Sequence, residues 1–360
     1  MFIERLKLKN YRNYKEEIFD FSDGLNVIIG KNAQGKTNVL EAIFFSVIGK
    51  SFKTNKEKEL IKWGENNSQI EGIFKRKYRD VKIEVLFDRN IKKNIKIDGL
   101  SIKRTGELLG HVNAVFFSPD ELKLIKESPE ERRRFLNIAI SQTNKRYFYL
   151  LGRYEKVLAN RNKLLKTSKD IKTLKETIDI WDRSLCDISE KIAKEREEFV
   201  KSLSPLAKMA HSYISSGKED LEIKYNTFEV EGDYKSSLLK TLQKNLNKDF
   251  KLGYTTVGVH RDDLDIYLNG VEVKNFGSQG QQRTVSLSLK LAELEIIKNR
   301  TGEYPILLLD DVLSELDSER RKKLINFTSK TQTILTCTEF DQEVKNYKKI
   351  EIENGKIKNK

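Results

Sequence analysis

The sequence predicts an α/β fold: a parallel sheet with an antiparallel β subdomain, interrupted by an inserted helical lobe. Two short runs, 25–29, which is apolar except for Asn26, and 306–309, which is wholly apolar, are typical of buried parallel strands, and a helical pattern follows each. Alternating polar and apolar residues between 69 and 99 predict an antiparallel meander. Long charged stretches with helical periodicity, 144–166 and 178–214, indicate the inserted lobe.

These patterns divide the chain into three segments. We expect residues 1–118 to form the first part of a head, residues 119–250 the inserted helical lobe, and residues 251–360 the second part of the head. Pro205 should kink or break the longer lobe helix, because proline in a helix interior removes a backbone hydrogen bond.

The remaining elements of the head follow in chain order. A helix is predicted at 36–48, directly after the first buried strand, and a short apolar run at 112–117 predicts another strand. Asn269-Gly270 lies between two alternating runs, which predicts a tight hairpin. After the second apolar run come a helix from about residue 318 and a strand at 333–336. This strand–helix–strand order favours one parallel sheet shared by both parts of the head.

Composition indicates a protein of a reducing compartment with an affinity for polyanions. Charged residues make up 34% and hydrophobic residues 38%, and no apolar run approaches the roughly 20 residues that span a bilayer. Two widely separated cysteines, Cys186 and Cys337, and only three histidines argue for a cytoplasmic protein without a disulfide framework or a zinc site. The formal net charge of +14 favours nucleic acid as a partner, although a Lys/Glu-rich solvated surface is the alternative.

A glycine-rich loop predicts a nucleotide-binding site. Between the first buried strand and its helix, the pattern G-x-x-x-x-G-K-[ST] is matched by Gly30, Lys31, Asn32, Ala33, Gln34, Gly35, Lys36 and Thr37, followed by Asn38. The two glycines let backbone N–H groups face phosphate oxygens at a helix N-terminus. We expect Lys36 to reach the β- and γ-phosphates of ATP and Thr37 to offer its hydroxyl to Mg²⁺.

An acidic pair ends the second buried strand, at the edge where ligands bind in open α/β sheets. Asp310 is predicted to hold Mg²⁺ through its water shell, and Asp311 to polarise the attacking water as a general base. Two aspartates support the metal assignment better than the base assignment. With Lys36 they are the predicted catalytic residues, and the alternative is an ordinary core strand with a polar end.

A polar cluster precedes a long helix with apolar periodicity; its members are Ser278, Gln279, Gly280, Gln281 and Gln282. Ser278 is placed to cap the helix and Gly280 permits close approach, so that N–H groups and the helix dipole face an anion. The alternative is a plain helix N-cap with polar neighbours. The cluster resembles the Leu-Ser-Gly-Gly-Gln signature of the ABC-type ATPases, which meets the γ-phosphate held by a second subunit. Residues 314–317, Ser-Glu-Leu-Asp, similarly resemble the D-loop, which crosses the same interface and here ends at Asp317.

Further stretches resemble the RecF family of ABC-type ATPases. Four stretches match that family. Residues 6–14 resemble its opening strand, and residues 50–64 the segment after its phosphate loop. Residues 115–137 resemble its lobe boundary, and residues 257–264 its Gly-Pro-His-Arg-Asp-Asp segment. The last of these has Val259 where proline is more usual.

The resemblance implies an ABC-type ATPase head related to the SMC heads, with ATP-dependent homodimerisation and slow, DNA-stimulated ATP hydrolysis. It also implies binding to single-stranded, gapped or junction DNA, and loading of recombinase with RecR and RecO in replication, repair and the SOS response. By the same resemblance, Arg12 and Asn13 would lie near the nucleotide.

Two positions depart from the usual ABC pattern. Ser118-Pro119-Asp120 stands where most members have the Q-loop glutamine, and Cys337 and Thr338 stand where the switch histidine is usual. The absence of the usual glutamine and histidine at these two positions favours a slow, switch-like ATPase. His260 is a candidate replacement for that histidine, although a lone histidine is more often structural.

Two other functions fit part of the sequence. A scaffold that binds ATP and partners without catalysis fits because the general base is the weakest of the predicted sites. An ABC transporter-type nucleotide-binding subunit fits the motifs, but the helical insertion, the basic balance and the missing Q-loop glutamine oppose it.

Overall fold

The computed structural model describes residues 1–341 and 346–358. Its strands are β1 Phe2–Tyr11, β2 Tyr14–Asp20, β3 Leu25–Ile29, β4 Asn67–Lys75, β5 Val81–Asp88, β6 Asn94–Ile97, β7 Leu100–Ser101, β8 Ala114–Phe117, β9 Leu221–Asn226, β10 Asp263–Leu268, β11 Val271–Glu272, β12 Ile306–Asp310, β13 Thr333–Cys337, β14 Lys348–Glu353 and β15 Lys356–Ile357. Its helices are α1 Lys36–Ile48, α2 Lys123–Lys126, α3 Pro129–Thr143, α4 Lys145–Thr167, α5 Ile171–Ser215, α6 Tyr234–Leu252, α7 Val273–Phe276, α8 Gln279–Thr301 and α9 Ser318–Thr328.

The chain folds into two compact units. The first, called here the head unit, comprises Met1–Leu122, Met209–Glu219 and Arg283–Lys360. The second, the lobe unit, comprises Lys123–Lys208 and Asp220–Gln282. Each unit is therefore built from segments that are not contiguous in the sequence.

A six-stranded sheet in the head unit contains both predicted apolar strands. Its order is β15-β14-β3-β13-β12-β8, and the strands from β14 to β8 run parallel. β3 and β12 coincide with the predicted strands at 25–29 and 306–309, which are confirmed. β13 lies between β3 and β12, so a single strand separates the ends of the two predicted site segments.

Apolar side chains from this sheet and two helices form the core of the head unit. Leu307 and Leu309 of β12 and Leu335 of β13 are fully buried, and they belong to one cluster with Leu291 of α8 and Leu324 of α9. Burying each leucine side chain contributes about 1.5–3 kcal/mol. The strands that end at the candidate site are thus fixed by packing.

The second sheet of the head unit is antiparallel, in the order β2-β1-β4-β5-β6-β7. Residues of β5 are alternately buried and partly exposed, as in a sheet with one covered face. β4, β5 and β6 confirm the meander predicted between 69 and 99. The turn from β1 to β2 contains Arg12, in the left-handed region at φ 52°, and Asn13.

The lobe unit is helical but also contains a three-stranded sheet, β11-β10-β9, in which the predicted hairpin is joined by a strand, β9, that was not predicted. β10 pairs with β9 along its whole length, which assigns β10, β11 and the short helix after them to the lobe unit. The lobe consequently ends at Gln282 and not at residue 250. The predicted hairpin is confirmed, with φ of 50° at Asn269 and 77° at Gly270.

Pro205 lies inside α5, a single helix of 45 residues, so it does not break the helix, and of the two predicted effects only a kink stays a prediction. Phe199, Leu203 and Ala207 are buried on both sides of the proline and lie four residues apart, along one face. Their packing offsets the single backbone hydrogen bond that proline removes. Neither α5 nor any other helix in the described parts of the chain has the length and apolar character needed to cross a membrane.

Candidate nucleotide-binding site

Parallel pairing brings two of the predicted site segments to one edge of the sheet. β3 leads into the glycine-rich loop, β12 leads into the acidic pair, and β13 pairs with both. Ile29 is opposite Cys337 on one side, and Asp310 is opposite Thr336 on the other. Because the carboxyl ends of parallel strands lie at the same edge, the loop and the acidic pair meet there.

Two glycines set the shape of the loop. Gly35, the N-cap of α1, has φ of 107°, and a Cβ atom at this position would lie 2.5 Å from Nδ2 of Asn13. A Cβ atom on Gly30 would overlap the carbonyl oxygen of Ile352. Only glycine therefore fits at either end of a loop that opens the first turn of a helix, where backbone N–H groups favour an anion. The exposed outer residues of the loop are Lys31, Asn32 and Ala33.

Lys36 lies inside this loop. Its ammonium donates to the carbonyl oxygens of Gly30 at 2.5 Å and Lys31 at 3.0 Å. Only 8% of Lys36 is exposed, and this burial lowers its pKa. Nearby anionic groups, first among them Asp311, raise the pKa again in part. A cation desolvated in this way gains from an anionic ligand such as a phosphate.

Asp310 links the loop to the acidic strand. Its Oδ1 accepts hydrogen bonds from the hydroxyl of Thr37 at 2.9 Å and from that of Thr336 at 2.6 Å. Asp311 has a left-handed φ of 52°, and its N–H donates to the carbonyl and the hydroxyl oxygens of Thr336, both at 3.1 Å. The structure thus brings Thr37, Asp310 and Asp311 together around one residue of β13.

The donor set of Thr37 and Asp310 fits Mg²⁺. Within residues 1–341 and 346–358, no group of three or more His, Cys, Asp or Glu side chains could hold a metal ion. Mg²⁺ at a phosphate-transfer site needs no such group, because substrate phosphates and water supply most of its ligands. A hydroxyl and a carboxylate oxygen 2.9 Å apart are the protein ligands that such a site uses.

Asn13, which the resemblance places near the nucleotide, contacts the loop. Its Nδ2 donates to the carbonyl oxygen of Gln34 at 2.9 Å, and its Oδ1 accepts from Nδ2 of Asn38 at 2.9 Å. The hydroxyl of the next residue, Tyr14, donates to the carbonyl oxygen of Gly35 at 3.1 Å. These hydrogen bonds attach the β1–β2 turn to the loop and to the first turn of α1.

Arg12, the other residue suggested by the resemblance, is paired with Glu41 of α1. Its Nε and Nη2 donate to the two carboxylate oxygens at 2.9 and 2.7 Å, and its Nη1 donates to the carbonyl oxygen of Glu59 at 3.0 Å. Glu41 is fully buried and also accepts from the hydroxyl of Ser51 at 2.5 Å. Since a buried carboxylate requires such partners, the guanidinium of Arg12 neutralises a charge inside the head unit.

The predicted signature cluster lies in the lobe unit, at the start of α8. The N–H of Ser278 donates to Oε1 of Gln281 at 2.8 Å, and the N–H of Gln281 donates to Oγ of Ser278 at 3.3 Å, which together form a capping box. Gln282 is buried, and its amide donates to backbone carbonyls of α7. Ser278 and Gln279 are exposed, with Gly280 next in the first turn.

The predicted D-loop follows the acidic pair in the head unit. The hydroxyl of Ser314 donates to the carbonyl oxygen of Asp311 at 2.8 Å. Asp317 caps α9 by accepting from the N–H of Arg320 at 2.9 Å. The D-loop and the acidic pair are therefore connected directly.

At the two positions that depart from the ABC pattern, the residues present do not replace the usual histidine and glutamine. Cys337 is buried at the end of β13, and burial raises the pKa of its thiol to about 11, so that it is a poor proton acceptor at neutral pH. Ser118 is buried after β8, and Glu121, further along this segment, pairs with Lys290 of α8 at 3.4 Å. Neither segment supplies the expected histidine or glutamine.

His260 is engaged on both sides of its ring within the lobe unit. Nε2 donates to the carbonyl oxygen of Thr255 at 3.0 Å, which leaves Nδ1 to accept from the hydroxyl of Tyr154 at 2.6 Å. Burial lowers the pKa of His260 to about 4, so the ring is neutral near pH 7. These contacts favour the structural interpretation of this residue over a catalytic one.

The state of His260 predicts a pH dependence of stability. Because its folded pKa of about 4 lies below the ordinary value near 6.5, protons bind the unfolded chain more readily between these values. The free energy of unfolding should therefore fall as the pH is lowered from about 6.5 to about 4, by roughly 3 kcal/mol from this group. Denaturant titrations of the wild type and a His260→Gln variant measure the effect. Equal slopes with pH in the two proteins would contradict the assignment.

Sequence reasoning missed Thr336 and Glu41. Thr336 could have been found, because both strands were predicted and parallel pairing places a residue of β13 opposite Asp310. Glu41 is a lone acid within an apolar stretch of α1, which signals a buried charge, but nothing in the sequence identified Arg12 as its partner.

Known proteins similar to this chain share its length as well as its fold. The family described as RecF/RecN/SMC N terminal domain matches residues 2–357. The DNA replication and repair protein RecF of Alkaliphilus oremlandii (strain OhILAs) is 47% identical over 345 residues, covering 94% of this chain and 93% of that protein. The solved structure of the recombination mediator protein RecF-ATP in the RecFOR pathway matches with a TM-score of 0.90 and 37% identity, over 99% of this chain and 96% of that one. An Smc head domain from Pyrococcus furiosus, solved with an extended coiled coil and the C-terminal domain of ScpA, matches with a TM-score of 0.58 and 19% identity over 99% and 95% of the two chains.

Proposed function

Because the chain belongs to the RecF family, within the wider RecF/RecN/SMC N terminal domain family, we propose that it is an ATP-dependent DNA-binding clamp of DNA replication and repair. Its fold is that of an ABC-type ATPase head. The observation that carries the proposal is the hydrogen bond from Thr37 to Asp310, which joins the phosphate loop and the acidic strand into one site.

In this proposal the loop binds the triphosphate of ATP. Gly30 and Gly35 shape the loop, and Lys36 exchanges its two carbonyl partners for oxygens of the β- and γ-phosphates. Asn13 holds the loop through Gln34, so that the site keeps its shape before the nucleotide arrives.

Thr37 and Asp310 are the residues that would hold Mg²⁺, whose contribution when bound is to neutralise charge on the phosphates. In this proposal Asp311 accepts a proton from the attacking water. Hydrolysis is slow in this proposal, because the positions of the usual switch histidine and Q-loop glutamine carry other residues, Cys337 and Ser118-Pro119-Asp120.

Two copies complete each other's site. The start of α8, from Ser278 to Gln282, contacts the γ-phosphate held by the partner copy through its exposed first residues, and Asp317 lies at the same interface. The capping box supports this assignment, because it fixes Ser278 at a helix N-terminus, where the helix dipole attracts anions.

The bound partner in this proposal is single-stranded, gapped or junction DNA. The net charge of +14 and the names of the relatives, DNA replication and repair proteins, support it. The clamp acts in the cytoplasm and helps RecR and RecO to load recombinase in recombinational repair, replication restart and the SOS response. This part rests on family membership and on the RecFOR pathway of the matching structure.

An Asp311→Asn variant tests the clamp. Removing the general base should trap the ATP-bound dimer, because binding residues are unchanged while hydrolysis is lost. Light scattering with ATP and Mg²⁺ should show a dimer, and a monomer without nucleotide. A chain that stays monomeric under both conditions would refute the proposal.

Phosphate release by the wild type, measured with and without junction DNA, separates the clamp from its alternatives. Release that increases with DNA supports a DNA-stimulated ATPase. No release under either condition would favour a scaffold that binds ATP without catalysis.

A further inference from the structure

Half of the net charge of the chain lies in two short segments of the head unit. Residues 50–63 and 88–104 contain eleven lysine or arginine residues and four aspartate or glutamate residues, a formal net charge of +7 out of +14. The first segment follows α1, and the second runs from the end of β5 through β6 and β7. Such a concentration of charge is typical of a surface that binds a polyanion.

The two segments line one groove. Its volume is about 960 Å³, and its lining includes Lys56, Lys58 and Trp63 from the first segment and Ile91 and Lys92 from the second. Trp63 is 95% exposed and Ile91 72% exposed, although tryptophan is usually well covered in folded proteins. Apolar and aromatic side chains left in water beside lysines indicate a binding surface.

Trp63 stands on a well-supported turn. The N–H of Glu65 donates to the carbonyl oxygen of Lys62 at 3.1 Å, and Gly64 between them takes a left-handed φ of 83°. Hydrogen bonds hold the turn on both sides. The N–H of Lys62 donates to the carbonyl oxygen of Asn10 at 2.8 Å, and Nε of Arg89 donates to the carbonyl oxygen of Glu65 at 2.8 Å. The indole is therefore presented to solvent without needing the turn to reorganise.

The lysines of the groove are available to an anion. Lys56, Lys58 and Lys92 form no ion pair within the parts of the chain that the structure describes. Lys93, by contrast, is bound to Glu57 and to the carbonyl oxygen of Gly49. Three lysines thus lie in the groove with the exposed indole, while the fourth lysine, Lys93, is used internally.

We propose that this groove binds single-stranded nucleic acid, with a base stacked on Trp63 and backbone phosphates paired with Lys56, Lys58 and Lys92. An unpaired base has a free π-face, whereas the bases of a duplex are stacked on each other. The inference rests on the proposed DNA-binding function and deepens it by assigning a contact surface and the strand state that it accepts.

The fluorescence of Trp63 tests the stacking directly. The chain has two tryptophans, so a Trp181→Phe variant retains Trp63 as its only one. Titration with a thymidine homopolymer should quench this emission, because stacking brings the base against the indole. A duplex of the same length should leave the emission unchanged. Emission that responds to neither, or equally to both, would overturn the proposal.

Affinity provides the second measurement. Trp63→Ala should weaken binding of the homopolymer roughly tenfold, as expected for losing one stacked base. A matched control is Tyr78→Ala, which removes another aromatic side chain of the head unit that is 85% exposed but lies outside the groove, and it should bind as the wild type does. Replacing Lys56, Lys58 and Lys92 with alanine should lower the slope of log affinity against log salt by about 0.7 for each phosphate that is no longer neutralised.

The outcomes separate this inference from the proposed function. If the wild type and the Trp63→Ala variant bind the homopolymer equally, the groove assignment fails and the clamp proposal stands. If Trp63→Ala weakens ATP binding in place of DNA binding, the groove belongs to the nucleotide site and the inference is wrong. If the wild type binds no DNA, both proposals fail.

Discussion

Replacing Ser278 with arginine is expected to abolish the ATP-dependent dimer while leaving ATP binding to the monomer unchanged. A guanidinium at the exposed start of α8 would occupy the space that the partner's triphosphate requires. We expect the dissociation constant of the dimer to rise at least about 100-fold, as for a residue at the centre of an interface. Light scattering with ATP measures the dimer, and titration with a fluorescent ATP analogue measures nucleotide binding.

Ser278 also caps α8, so two further variants separate capping from phosphate binding. Ser278→Ala loses the side-chain cap and should cost about 1 kcal/mol of stability. Ser278→Asp keeps a good cap but adds a negative charge that repels the triphosphate. We therefore expect Ser278→Asp to fold as stably as the wild type and to remain monomeric with ATP. A dimer of normal strength in Ser278→Asp would show that α8 does not meet a phosphate.

Replacing Lys36 with arginine is expected to reduce ATP hydrolysis at least about 100-fold. The ammonium fits within 3.0 Å of two loop carbonyls, in a site only 8% exposed, and a planar guanidinium is too large for that space. Losing a preorganised cation next to developing negative charge typically costs about 100- to 1,000-fold in rate. Steady-state phosphate release at saturating ATP measures this loss.

Lys31→Arg is the matched control, because the same substitution is made in the same loop at an exposed position. Its turnover should stay close to that of the wild type. Equal turnover in Lys36→Arg and the wild type would discredit the phosphate loop as the catalytic site.

Local patterns were sufficient to predict the strand, loop and helix around Lys36. A mostly apolar run, two glycines and a helical repeat determine β3, the loop and α1 independently of the rest of the chain, and the observed bounds match. The same holds for β12 and its acidic end. The meeting of Thr37 with Asp310 follows once both strands are assigned to one parallel sheet, because ligand-binding residues collect at the carboxyl edge.

Contacts between distant segments could not be predicted in this way. β9 is a short strand surrounded by helical patterns, and only its pairing with β10 shows that residues after 250 belong to the lobe unit. The continuity of α5 through Pro205 depends on packing on both sides of the proline, which a local rule about proline ignores. The groove beside Trp63 requires two segments that adjoin only in three dimensions.

The strand order of the parallel sheet has a consequence for synthesis on the ribosome. β3 and β8 emerge early, yet in the finished sheet they are held apart by β13 and β12, which are translated only after residue 305. Until then both early strands have unpaired apolar edges, which are prone to aggregation. A nascent chain stalled before β12 should therefore need chaperone protection, and the phosphate loop cannot acquire its aspartate partner until translation has passed residue 310.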